Sequence, residues 1–261
     1  MASQDNWRFC TRCYGLFWYG YPTSGVCPSG GAHSPLQAAS PTNAGSSWDF
    51  ALTVANTNPA PVSTGLQMQY QLMTEWCWIA VATSIGRFYN PGSAWTQCLL
   101  LTEQLQANNN MTGQCCPDAQ LISATPGLAQ ALADPYSPSA LWALEGVNAE
   151  LPATPPICNH SGDIDKALSQ LANLGQDTGS AASMSSLVSE LSAGRPVCIY
   201  IVWSDGHSHV IAAAGAEEPD TVIVKDPVNG IWVGPYETLL TSYQGDGTWT
   251  SSTYTQPQPP L

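Results

Sequence analysis

Two kinds of hydrophobic spacing divide the chain. From Cys77 to Tyr89, the residues Ile79, Val81, Ala82, Ile85, Phe88 and Tyr89 recur at steps of three and four, the period of a helix with a buried face. Asn90, Pro91 and Gly92 stop it, and Thr74 or Glu75 is placed to cap it or to supply a first-turn acid. A second helix is expected from Ser93 to about Ala107, with Trp95, Cys98, Leu99, Leu101, Thr102 and Leu105 inward. Residues 118–147 carry short helical periods broken by Pro126, Pro135 and Pro138. Asp163 reads as the N-cap of a helix through Leu174, and Ser183–Ala193 as a further helix ended by Gly194. After residue 195 the spacing changes. PVCIYIVW, HVIAAAGA and TVIVKD are apolar runs of six to eight residues divided by turn residues. They read as neighbouring strands of one antiparallel sheet. GIWVG and GTWTSSTYT add strands, and YETLLTSY a short helix between them. Helices followed by a sheet define an α+β domain.

Upstream, residues 1–53 show no helical period. Aromatics crowd them and Gly and Pro punctuate them, so short strands and turns are expected. Cys10, Cys13, Cys27 and His33 are spaced C-x2-C-x13-C-x5-H, which suits a closed, tetrahedral, structural zinc site. A module of about 50 residues has a marginal core and gains from such a staple. The competing reading is one disulfide and an unrelated histidine. Phe17, Trp18, Tyr19 and Tyr21 form either a binding face or the core of this module. Residues 54–66 read as a linker, 67–256 as the second domain, and 257–261 as a tail.

Composition narrows the classes. The chain of 261 residues is 44% hydrophobic and only 10% charged, and its net charge of −13 arises because it has only six Lys and Arg. Without a basic patch, a sequence-independent grip on nucleic acid or anionic lipid is not expected. No stretch approaches the length of a membrane span. The nine cysteines point to disulfides, metal ligands or both. Together with the few charges they favour a secreted or exported protein, although no signal peptide is visible.

Cys77 falls in the first turn of its helix, where the dipole favours a negative charge and a thiolate can serve as nucleophile. A buried structural cysteine is the bland alternative. A nucleophile needs a base, and His209 heads an apolar strand run, with His207 two residues before it. Asp226 ends the next run and is placed to orient an imidazole. Gln71 lies six residues before Cys77, in reach of a developing oxyanion beside the Cys77 N–H. Trp203 is expected to pack over the His–Asp pair.

Gln71, Trp76-Cys77-Trp78, His209 through Gly215 and Val224-Lys225-Asp226-Pro227 together resemble the bacterial papain-like cysteine peptidases. The subgroup that includes the avirulence-effector proteases of plant pathogens is the most similar, also at Gln97-Cys98, Cys115-Cys116 and Cys158-Asn159. The resemblance covers about residues 67–250. It implies a two-lobed papain-like fold in which Cys77, His209 and Asp226 hydrolyse bonds of a peptide or protein substrate without a catalytic cofactor, with Gln71 as oxyanion donor. Asp226 stands where many such enzymes have Asn, and Ile79 where the subgroup has Ala. Residues 1–53 are similar to a Trp- and Cys-rich repeat found on assorted secreted bacterial proteins. The same triad logic serves a transglutaminase or deamidase. A third reading is a non-catalytic secreted binding or toxin-delivery protein that works through its N-terminal module. Oligomeric state is not legible here. Bonding of the adjacent Cys115 and Cys116 is strained, so two pairings of Cys98, Cys115, Cys116 and Cys158 remain, with a metal site as the rival if all four stay reduced. Cys198 is expected to be a buried free thiol.

Overall fold

The structure is a computed structural model that describes residues 2–18, 25–35, 50–54, 61–107, 115–116, 122, 127–144, 158–217 and 219–259. The chain divides into two compact units, Met1–Pro59 and Ala60–Leu261. In the first, strands β1 (Ala2–Phe9), β2 (Leu16–Trp18) and β3 (Phe50–Val54) form an antiparallel sheet in the order β2-β1-β3. Phe17 is buried and stacks on His33 with ring centroids 4.7 Å apart. Of the other aromatics singled out with it, Tyr19 and Tyr21 lie outside the described residues.

The second unit is mixed α and β. Six α-helices are present among the described residues: α1 (Cys77–Tyr89), α2 (Gln97–Ala107), α3 (Leu128–Ala133), α4 (Ile164–Gln170), α5 (Met184–Ser192) and α6 (Tyr236–Thr241). The strands are β4 (Val62–Ser63), β5 (Leu174–Asp177), β6 (Val197–Val202), β7 (Ser208–Glu217), β8 (Thr221–Asp226), β9 (Gly230–Pro235) and β10 (Thr248–Thr255). These seven make one antiparallel sheet in the order β5-β10-β6-β7-β8-β9, with β4 also paired to β7.

The apolar runs of β6 and β7 are continuous because both faces of the sheet are covered. Cys198, Val210, Ala212 and Ala214 join a core with α1, α2 and α4. Val197, Ile199, Ile201, Ile211 and Ala213 join a second core with α5 and α6. Alternation of side chains along a strand sends neighbours to opposite layers.

Several expected boundaries shift, each for a local reason. The stretch expected to be a linker already enters the second sheet, because Val62 and Ser63 pair with Ala216 and Gly215. Residues 55–60 of that stretch lie outside the described residues. Helix α2 begins at Gln97 rather than Ser93, since Thr96 caps it by accepting the Leu99 N–H (3.2 Å). Its inward face is Gln97, Leu100, Leu101, Thr102 and Leu105, whereas Leu99 is 41% exposed. Asp163 caps α4 by accepting from the Asp165 and Lys166 N–H groups. That helix ends at Gln170, because Ala172 takes a left-handed φ of 56° and turns the chain so that Leu174 starts β5. Residues 256–259 run on past β10, with the Gln256 N–H donating to Asn173 O and Gln258 Nε2 to Leu171 O.

Candidate active site

The turn before α1 is built from both ends. Trp76 occupies the N-cap position and makes no side-chain cap bond, so neither Thr74 nor Glu75 caps the helix. Asn159 braces this turn instead. Its Oδ1 accepts the Glu75 N–H (3.0 Å) and its Nδ2 donates to Thr74 Oγ1 (2.9 Å). The two tryptophans beside Cys77 grip the same segment, with Trp76 Nε1 donating to Cys158 O (2.7 Å) and Trp78 Nε1 to His160 O (3.2 Å). Gly162 has to lack a side chain, because a Cβ there would lie 2.2 Å from the Trp78 ring. Cys158 is tied to Cys115, and Cys98 to Cys116, at disulfide distance. This crossed pattern is one of the two left open by the sequence. The nucleophile candidate thus sits on a helix whose first turn is anchored to a cross-linked loop.

Cys77 is 8% exposed and lines one cleft with Thr74, Glu75, Ser161, His207 and His209. As a first-turn residue its N–H has no intrahelical acceptor. The β6–β7 hairpin turns through Gly206, whose φ of 87° suits glycine, and brings His209 to the head of β7. Because β7 and β8 are antiparallel neighbours, the start of one lies against the end of the other. His209 Nε2 meets Asp226 Oδ1 at 2.9 Å. Its other ring nitrogen is not engaged by Asp226, and Cys77 lines the same cleft as the ring. His207 is instead on the exposed turn with Asp205, 3.2 Å away. Trp203 packs near His209, ring centroids 5.9 Å apart and tilted by 43°.

Asp226 is 1% exposed and accepts more than the histidine. Val228 N–H (2.7 Å) and Asn229 N–H (3.1 Å) share Oδ1, while Asn229 Nδ2 (3.1 Å) and Tyr243 OH (2.7 Å) reach Oδ2. Burial alone would raise its pKa, but the bond and charge of His209 and the donors from Val228 and Asn229 outweigh it and hold the carboxyl well below its usual range. For His209, burial alone would favour the neutral ring. The bonds and charges of Asp226 and Cys77 overcome it and push the imidazole up to about 10. Tyr243 moves upward through burial and the adjacent carboxylate, so it stays a donor. Tyr243 and Asn229 are the residues sequence reasoning missed. An Asp-Pro-Val-Asn turn carries an Asx-type signal for Asn229, but nothing local marks Tyr243.

Gln71 is 2% exposed and does not line the Cys77 cleft. Its Nε2 donates to Met73 O (2.9 Å) and Thr74 O (2.7 Å), which engages both amide protons within the turn. Its own N–H donates to Pro227 O (3.0 Å), tying the nucleophile turn to the residue after Asp226. Cys198 is fully enclosed and burial pushes its thiol up, which makes it an inert core sulfur.

In the first unit, the ligand atoms of Cys10, Cys13, Cys27 and His33 all lie within 4.8 Å of one another. Cys10 Sγ and Cys27 Sγ are 3.9 Å apart, and Cys13 Sγ and His33 Nδ1 3.6 Å. A zinc ion with Zn–S of about 2.3 Å and Zn–N of about 2.0 Å places tetrahedral ligand atoms roughly 3.5–3.8 Å apart, and these two distances lie close to that spacing. The sulfurs are too far apart for a disulfide. Backbone N–H groups of Cys13, Ser34 and Arg12 point at Cys10 and outweigh its desolvation, pulling it down to about 5. The four residues could therefore hold a metal ion, and the spacing in the chain converges on one point.

A scan against protein-family models and a search of curated proteins find no match to this chain.

Proposed function

We propose that residues 60–261 are a papain-like cysteine peptidase of two lobes, with Cys77 and α1 in the helical lobe and His209 and Asp226 in the sheet lobe. One observation carries the reading: Cys77 lines one cleft with His209, and His209 is held by a five-donor carboxylate, Asp226. The resemblance of the Gln71, Trp76–Trp78, His209–Gly215 and Val224–Pro227 motifs supports it. In this reading the Cys77 sulfur attacks the carbonyl carbon of a peptide bond and forms a C–S bond. The oxyanion takes a hydrogen bond from the Cys77 N–H, and from Gln71 Nε2 if one of its two turn bonds opens. His209 passes its proton to the leaving nitrogen as the C–N bond breaks. It then takes a proton from water, whose oxygen displaces sulfur and regenerates Cys77. Asp226 keeps the ring oriented throughout and stabilises it in the steps where it carries the proton.

Zinc is the metal proposed for the first unit, as a closed four-ligand site that stabilises the fold and supplies no step of this reaction. The paired cysteines and the sparse charge support export into an oxidising compartment.

Labelling the full chain with a peptidyl epoxide and locating the adduct tests the reading. Modification of Cys77 is expected, together with cleavage of a peptide library into paired fragments that Cys77→Ala abolishes. Unchanged cleavage by Cys77→Ala, or a product heavier by about one dalton without chain scission, sinks the peptidase assignment.

A further inference from the structure

A second cavity, of about 210 Å³, is lined by Gln69, Leu72 and Gln97 and so borders the segment that leads to Cys77. It is larger than the ~150 Å³ apolar void known to accept benzene. Leu72, Ile122, Leu132 and Pro135 give it apolar walls, and no carboxylate lines it among the described residues.

Two donors on this lining lack acceptors. Gln69 is 2% exposed, and its Nε2 makes no hydrogen bond. Its amide orientation is set by a neighbour. Gln97 Oε1 accepts the Leu72 N–H (3.1 Å) and Gln97 Nε2 donates to Tyr70 O (2.8 Å). The second N–H of Gln97 is therefore left for Gln69, which has to present Oε1 to it (3.3 Å). Gln69 Oε1 also accepts from Thr83 Oγ1 (3.4 Å), and Nε2 is left without an acceptor. Arg87, in the last turn of α1, also lines the cavity. Its Nε–H is buried and unbonded, and no carboxylate pairs with it among the described residues. The unbonded Nε–H of a cation and an unbonded amide donor, set among apolar walls, call for an acceptor-only anion with an apolar body.

We propose that this cavity binds a small apolar carboxylate of about the size of benzoate. Its two oxygens accept from Arg87 Nε–H and Gln69 Nε2, and its ring or branched chain lies against Leu72 and Leu132. Sulfate or phosphate lacks the apolar body that such walls favour. The site stands whether or not Cys77 is a nucleophile. It also borders the catalytic turn, because Gln97 holds the backbone on either side of Gln71.

Ligand-observed NMR and thermal shift on the full, disulfide-intact chain test it, with benzoate as probe and benzamide as its neutral isostere. Benzoate is expected to bind and to raise the melting temperature, and benzamide to bind at least about tenfold more weakly, the loss of one charge-assisted hydrogen bond. Arg87→Met keeps an apolar stem and is expected to weaken benzoate by a similar factor. Leu132→Trp, which fills the space, is expected to abolish binding. Equal affinity for the two probes, no benzoate binding up to tens of millimolar, or undiminished binding by a folded Arg87→Met overturns the proposal and leaves water as the occupant. If Arg87→Met does not fold, the comparison of the two probes on the unmodified chain decides.

Discussion

The two units are held by different means, and sulfur shows the difference. Among the described residues of the first unit, the buried apolar cluster is Cys10, Phe17 and Cys27. The same unit gathers four possible ligand atoms within 4.8 Å of one another. The second unit has two apolar layers on the faces of one sheet, and its cysteines do other things. Two pairs cross-link the loops around α1 and α2, Cys198 is buried packing, and Cys77 is turned toward a histidine. The surroundings of each sulfur differ accordingly: Cys10, Cys13 and Cys27 lie near one another and near an imidazole nitrogen, four cysteines pair at bonding distance, and Cys77 shares a cleft with an imidazole backed by a carboxylate.

On the proposal that zinc occupies the first unit, chelation is expected to break that contrast most strongly. A structural zinc carries about 10–16 kcal/mol of apparent binding free energy in a small module. A strong chelator should therefore abolish the dispersed amide signals of residues 2–54 while the thermal transition of the second unit stays in place. Dispersed signals that persist after metal analysis reads zero would show that the first unit needs no ion.

The next effect lies in the second unit. Asp226→Ala removes the acceptor of five hydrogen bonds and leaves a buried charged ring beside Cys77. Breaking a buried pair from one side costs about 3–5 kcal/mol. A loss of unfolding free energy, from denaturant titration, of less than a third of that would mean that His209 sheds its proton in the variant and that the charge is not needed for the fold.

Much of this was legible because the signals are local. The steps of three and four in 77–89 and the Val/Ile runs of 196–226 are set by which face is buried, and α1, β6, β7 and β8 lie close to those spans. The closeness of His209 and Asp226 follows from antiparallel pairing of adjacent runs, and the Cys10, Cys13, Cys27 and His33 spacing is a short-range constraint. The illegible parts rest on contacts distant in sequence. Tyr243 reaches Asp226 from beyond α6, Asn159 braces the turn before Cys77 from 84 positions away, and β4 emerges from a stretch without periodicity. Gln71 was read for its reach toward an oxyanion. Its immediate neighbours, the Met73 and Thr74 carbonyls, compete for the same two protons.

Reduction sharpens the comparison on a smaller scale. The Cys98–Cys116 and Cys115–Cys158 cross-links span 18 and 43 residues, and bridges of this loop size contribute about 2–4 kcal/mol each. A mild reductant with zinc present is expected to lower the melting temperature of the second unit and to leave the first unchanged. Loss of the first unit's signals in the same experiment would place its sulfurs in a disulfide after all.

The smallest effect separates the donors around Asp226. Tyr243→Phe removes one of five, and with four remaining the cost falls near 1.5 kcal/mol, the low end for a hydrogen bond to a charged group. The variant should keep the alkaline behaviour of the native chain, because His209 still faces a carboxylate. The folded-state pKa of His209 is raised from 6.5 to about 10. The stability it contributes is therefore fully present below pH 6.5 and lost as pH climbs through about 10. Asp226→Asn removes the charge that sustains the shift, so the loss should move toward neutral pH in that variant and not in Tyr243→Phe. Denaturant midpoints between pH 6 and 11 for the three chains would read this directly. A loss that moves equally in both variants would mean that the tyrosine hydroxyl, and not the carboxylate alone, keeps His209 charged.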